Sequence, residues 1–194
     1  MGNGQNGLNA AKLALRDQLL TTRRRRPLAE VGQAAQAISD HLLASPEVRR
    51  AATVACYVSV GTEPGTTRLL DALGAAGKRV ILPVLLPDND LDWALYEGAG
   101  SLAPAGRGLL EPVTPALGVD AVATADLVLV PGLAVSPAGL RLGRGGGSYD
   151  RALTRATGPS CVLLYDDELL AAVPAEPHDQ PVDAAATPSG IVRF

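Results

Sequence analysis

Aromatic side chains make up only 3% of the 194 residues, and there are two cysteines and one methionine. The interior must therefore be filled by Leu, Val, Ile and Ala, which a hydrophobic content of 47% supplies. Cys56 and Cys161 each lie in an apolar run ("TVACYVSV", "SCVLLY") and lack any zinc-ligand spacing, so buried free thiols are expected. No segment approaches the roughly 20 apolar residues of a membrane span. A net charge of −3 excludes the broad basic surface of a general nucleic-acid binder, so any anion site must be local. Neither a Ser–His–Asp set nor a nucleophilic cysteine is evident. The opening "MGNGQNGLNA" lacks a signal-peptide core, and Asn6 stands where myristoylation requires Ser or Thr. The expectation is a cytoplasmic protein with a flexible leader over residues 1–7 and one α/β domain over 8–194, a length that suits a single domain. The oligomeric state is open, with a monomer favoured.

The patterning that is present reads as helices and buried strands. Asn9 can cap a helix running to about Leu20, with Leu8, Leu15 and Leu19 on one face. A second helix is predicted over 28–43, with Val31, Ala34, Ala35, Ile38 and Leu42 as its apolar stripe. The basic run Arg23–Arg26 between them reads as a solvated helix end and turn. From residue 52 the pattern changes to continuous apolar, β-branched runs: "ATVACYVSV", "RVILPVL", "DLVLVPGL" and "SCVLLY". Such runs mark strands buried on both faces. Helices alternate with them, "TTRLLDALGAAG" closed by Gly77 and "YDRALTRATG". Alternation of this kind predicts right-handed βαβ crossovers and a mostly parallel sheet with flanking helices. The ligand of such a sheet sits beyond the strands' carboxyl ends. There lie "SVGTEPGTT", "PGLAVSPAGLRLGRGGGSYD" and "YDDELL". Residues 97–120 show little periodicity, and a loop of that length is usually functional or disordered.

The stretch "GLRLGRGGGSYDR", residues 139–151, follows a predicted strand and runs into a helix at about Ser148. Bare backbone N–H groups at the positive end of a helix form a phosphate cradle. A Walker loop is excluded because no lysine follows the glycines. The dinucleotide fingerprint is excluded because Ser148 stands where its third glycine would fall. Arg141 and Arg144 within the loop and Arg151 in the first helical turn favour an anion, although a flexible loop with solvated arginines fits the same pattern. Asp150 would be repelled by a polyphosphate unless a divalent cation lay between them, as Mg²⁺ does when it joins one or two carboxylates to phosphates. A plain first-turn aspartate is the alternative. Asp179 and Asp183 in "HDQPVD" could share such an ion. Lys12 and Arg16, spaced i,i+4, repel each other unless an anion or solvent intervenes. Glu63 is a carboxylate at the ligand edge, suited to substrate N–H groups or acid/base work. Tyr57, Trp93 and Tyr149 are the rings available to a flat ligand.

Taken together, "KLALR" at 12–16, "YVSVGTEPGTT" at 57–67, "GKRVILPV" at 77–84, "GLLEP" at 108–112, the stretch 128–153 and "PHDQPVD" at 177–183 resemble the 5-formyltetrahydrofolate cyclo-ligase family, in order and over nearly the whole chain. The resemblance implies the α/β fold shared with ribose-5-phosphate isomerases and CoA transferases. It also implies an enzyme that uses ATP and Mg²⁺ to close 5-formyltetrahydrofolate into 5,10-methenyltetrahydrofolate. By position, Lys12, Arg16 and the loop Arg141, Leu142, Gly143, Arg144, Gly145, Gly146, Gly147, Ser148 and Tyr149 would contact ATP, with Lys12 and Arg144 catalytic. Val58, Glu63 and Ser148 would contact the folate, and Asp150 and Asp183 would hold the magnesium. The chain departs from the family at Ser148, where a tyrosine is usual, at Val135, where a phenylalanine is usual, and after Glu63, where "PGT" replaces an acidic residue. A sugar-phosphate isomerase, which would need no magnesium site, and a non-catalytic phosphate-sensing domain are the two competing readings.

Overall fold

The structure, a computed structural model, describes residues 2–194, with side chains from Asn6 onward. The described elements are α1 (Gly2–Arg24), α2 (Leu28–Ala44), α3 (Pro46–Arg50), β1 (Thr53–Ala55), α4 (Thr67–Ala75), β2 (Arg79–Leu85) and β3 (Leu91–Leu95). They continue with β4 (Leu102–Pro104), β5 (Leu110–Pro112), β6 (Leu127–Pro131), β7 (Ala134–Val135), β8 (Arg141–Leu142), α5 (Ser148–Arg155), β9 (Ser160–Leu163), β10 (Ala184–Thr187) and β11 (Gly190–Arg193).

One seven-stranded sheet runs β11-β10-β9-β6-β1-β2-β3. Its inner junctions are parallel, and the edge strands β3 and β11 pair antiparallel. The apolar runs become strands because alternate residues face two different cores. Val54, Val80, Leu129 and Cys161 pack against α2, α3 and α4 through Ile38, Leu42, Val48 and Leu69. Their neighbours Ala55, Ile81, Val128 and Val162 pack on the other face with Trp93, Val122 and Ala152 of α5. A run that is apolar at every position is what two buried faces demand. Both cysteines are free and buried in these cores. Burial pushes each thiol up to about 12, so neither ionises near neutral pH.

Gly77 ends α4 as expected, in the left-handed conformation at φ +72. Helix α1 begins at Gly2, so Asn9 is an exposed residue inside it and not its cap. The expected leader, residues 1–7, lies partly outside the described residues. Residues 97–120 fold into the β4–β5 hairpin with short 3₁₀ turns on either side. Among the described residues, no helix is long and apolar enough to cross a membrane.

Candidate active site

β1 is the point at which the sheet's strand order turns: β2 and β3 lie to one side of it, and β6, β9 and β10 to the other. Chain segments leaving the carboxyl ends of β1 and β6 diverge there and open a crevice. A cleft of about 420 Å³ fills that position, within the range of small-molecule sites. Tyr57 to Glu63 after β1, the end of β2, part of the 107–111 segment, Gly132 and the glycine loop form its walls.

The glycine loop owes its path to two left-handed residues, Gly145 at φ +100 and Gly147 at φ +70. A side chain at either would be strained. Gly147 is the N-cap residue of α5, and no side chain caps that helix. The first N–H groups of a helix have no partner within it, so the loop offers donors and a positive dipole end to the cleft.

Charged side chains converge on this loop from three elements. Arg141, buried in β8, donates to the Pro131 carbonyl at 3.2 Å and to Asp150 Oδ1 at 3.0 Å. Its guanidinium carbon lies 5.9 Å from the centre of the Tyr149 ring. Arg144 reaches across the cleft to Glu63 Oε1 at 3.1 Å. Glu63 is buried, and its other oxygen accepts the Val60 N–H at 2.8 Å. From α1, Arg16 Nε donates to the Gly143 carbonyl at 2.9 Å. One turn earlier Lys12 donates to Glu176 and Asp179, each at 2.7 Å. Burial would lower the Lys12 pKa, but the hydrogen bonds it donates to the two carboxylates outweigh that, and the net shift is upward.

The sequence profile of the 5-formyltetrahydrofolate cyclo-ligase family matches residues 8–188. The chain is 43% identical over 192 residues to the 5-formyltetrahydrofolate cyclo-ligase of Mycolicibacterium smegmatis, covering 95% of this chain and 97% of that one. It is 33% identical over 171 residues to the Escherichia coli enzyme of the same name, covering 84% and 90%. The chain belongs to the 5-formyltetrahydrofolate cyclo-ligase family. The NMR structure of Aquifex aeolicus 5,10-methenyltetrahydrofolate synthetase superposes with a TM-score of 0.83 at 27% identity, over 94% of this chain and 92% of that one. Membership makes the protein an enzyme of the cyclo-ligase kind and sets aside the isomerase and sensor readings.

In this cyclo-ligase scaffold most of the expected site residues meet at one place. Val58, Glu63, Arg141, Gly143, Arg144, Gly145, Gly146, Gly147, Ser148, Tyr149 and Asp150 all line the cleft, and Arg16 braces the loop from behind. Lys12 does not line the cleft, and Trp93 is buried in the core with Ile81 and Val122, so neither is presented to a ligand there. Two further expectations need correction. Asp183 is not brought to Asp150: its carboxylate accepts the N–H and hydroxyl of Ser160 at 2.7 and 2.9 Å, at the amino end of β9. That is the opposite edge of the sheet from the cleft. Asp179 comes nearer by sequence, since its neighbour Gln180 donates its N–H to Asp150 at 3.3 Å, while the Asp179 carboxylate itself accepts from Lys12 and from the Glu176 N–H, each at 2.7 Å. Leu142 turns its side chain into a small core with Leu19, Leu133 and Val173, so only its backbone belongs to the loop.

Other residues behave differently from their sequence reading. Arg151 donates to the Asp88 carbonyl at 3.1 Å while its guanidinium lies close beside Gly147 at the end of the loop. Arg23 is not a solvated member of the basic run. It is buried, and it holds Glu168 at 2.7 Å and the Gly132 carbonyl at 2.7 Å. The spacing of Lys12, Arg16 and Arg23 with Leu15 and Leu19 places all five on one helix face, a signal available in the sequence. Arg107 and Glu111, from the aperiodic segment, also line the cleft.

Proposed function

We propose that the enzyme closes 5-formyltetrahydrofolate into 5,10-methenyltetrahydrofolate at the expense of ATP, which leaves as ADP and phosphate. The observation that carries this reading is that one cleft joins the parts. It has an anion cradle on one wall, the carboxylate of Glu63 on the facing wall, and Arg144 bridging the two.

A formyl oxygen is a poor leaving group, and phosphorylation removes that difficulty. The formyl oxygen bonds to the γ-phosphorus as the bond to ADP breaks. N10 then attacks the formyl carbon and loses its proton, and the C–O bond breaks to release phosphate. Transfer of this kind asks for positioning and charge neutralisation more than covalent help from the protein. The backbone N–H groups of Gly145 to Tyr149 donate to phosphate oxygens, with Lys12, Arg16 and Arg141 supplying positive charge. Arg144, between Glu63 and the loop, neutralises charge on the phosphoryl group in transit. Val58 and Glu63 hold the folate ring, and Ser148 lies beside it in place of a second tyrosine.

The residues present fit a magnesium ion. Asp150 lines the cleft and commits only Oδ1, to Arg141 and the Gln180 N–H, among the described residues. Asp150 would hold the ion, and Asp179, next in the chain to Gln180, is the candidate for a second carboxylate in place of Asp183. Bound there, Mg²⁺ would neutralise polyphosphate charge that arginine alone leaves. The test is stoichiometry: ADP, phosphate and methenyl product should appear one for one, and only with Mg²⁺ present. Methenyl product formed without ADP contradicts the scheme.

A further inference from the structure

Tyr57 follows the carboxyl end of β1 and forms part of the cleft wall, yet it is only 3% exposed. Its hydroxyl is buried and makes no hydrogen bond among the described residues. A buried hydroxyl without a partner is unfavourable, because its lost hydration is not made good. The neighbouring carboxylate does not relieve it: Glu63 accepts from the Val60 N–H and from Arg144, and no hydrogen bond joins it to the Tyr57 hydroxyl. Burial, reinforced by the Glu63 charge, holds the phenol well above its ordinary pKa, so it keeps its proton and acts as a donor at all working pH values. The ring is fixed by the core cluster that contains Val54, Cys56 and Leu82. The donor is therefore preorganised beside the cleft, and what it lacks is an acceptor.

We propose that the Tyr57 hydroxyl is a folate-positioning group that donates a hydrogen bond to an acceptor on the ring system of the bound folate. This inference rests on the cyclo-ligase reading above. A ring of that class carries a carbonyl, ring nitrogens and the formyl oxygen, so it offers acceptors, whereas no acceptor among the described residues hydrogen-bonds to Tyr57. Folate entry satisfies a group that the free enzyme leaves unpaired. A competitor without an acceptor there would leave the hydroxyl unsatisfied, and that difference is a source of specificity.

Tyr57→Phe removes one oxygen and no carbon, so the packing of the ring is retained. In calorimetric titrations the variant should bind 5-formyltetrahydrofolate about tenfold more weakly than wild type, equivalent to about 1.4 kcal/mol. Its ATP affinity should be unchanged, and its Tm should be equal or higher. Equal folate affinity overturns the assignment. So does a matching loss of ATP affinity, a lowered Tm or a variant that does not fold, because each would give the hydroxyl a structural role in the free enzyme. Wild-type enzyme that makes no methenyl product overturns the cyclo-ligase reading itself. Wild-type turnover with normal folate binding by the variant overturns the Tyr57 role alone.

Discussion

Glu63 sits in a nearly closed environment, where the Val60 N–H and the Arg144 guanidinium share its two oxygens. If it also holds the folate, Glu63→Gln should raise the KM for 5-formyltetrahydrofolate about tenfold, which corresponds to one lost charge-assisted contact. The KM for ATP should not move, and steady-state kinetics with each substrate varied will show whether it does. Asp150 gives a second prediction. Asp150→Asn should lower kcat by about two orders of magnitude, the scale of a lost electrostatic contact in a transition state. Circular dichroism and Tm should remain those of wild type, and unchanged turnover would remove Asp150 from the metal site. The sequence made Asp150 legible because a first-turn acid beside an anion cradle needs a reason. Asp183 misleads because spacing cannot tell which end of a strand a flanking carboxylate occupies, and here it caps the start of β9.

At the scale of elements, α1 is the helix whose packing face carries the most charge. Arg23 and Glu168 form a buried pair under Gly132, and removing one partner leaves an uncompensated charge worth about 3–5 kcal/mol. Arg23→Ala should therefore lower the Tm by roughly 10 °C, and the double variant Arg23→Met, Glu168→Leu should recover most of that loss. The tie from Lys12 to Glu176 and Asp179 makes a pH-dependent prediction. At Asp179 burial acts to raise the pKa, but the Lys12 hydrogen bond wins and the shift is downward; at Glu176 the Lys12 hydrogen bond lowers it. Stability from lowered carboxylates is present above their ordinary values of 3.8 and 4.5, and it is lost as pH falls through the lowered ones. The raised Lys12 adds stability below its ordinary 10.5 and loses it as pH rises past the raised value. Lys12→Met should thus melt below wild type at pH 7, and the gap should close as pH falls below about 4. A gap that persists at pH 3 contradicts this account. None of these partners was legible in the sequence, because the contacts join α1 to residues more than a hundred positions away.

For the whole molecule, the sheet was legible wherever a strand is buried on both faces: β2 matches "RVILPVL" residue for residue. The edges were not. β3, "LDWAL", is short, lacks β-branched residues and is interrupted by Asp92, and β10 is built from "AAAT", which carries little β-branched signal. The run at 52–60 was longer than β1, because after Ala55 the chain leaves the ladder to form the cleft wall. The position of the site followed from topology, since β1 has β2 on one side and β6 on the other. The account of that site stands on one reaction. Purified enzyme given Mg²⁺, ATP and 5-formyltetrahydrofolate should show near-ultraviolet absorbance rising as methenyl product forms, with no rise when either ATP or Mg²⁺ is omitted. Absorbance that stays flat while both substrates bind, or that rises without ATP, would contradict it.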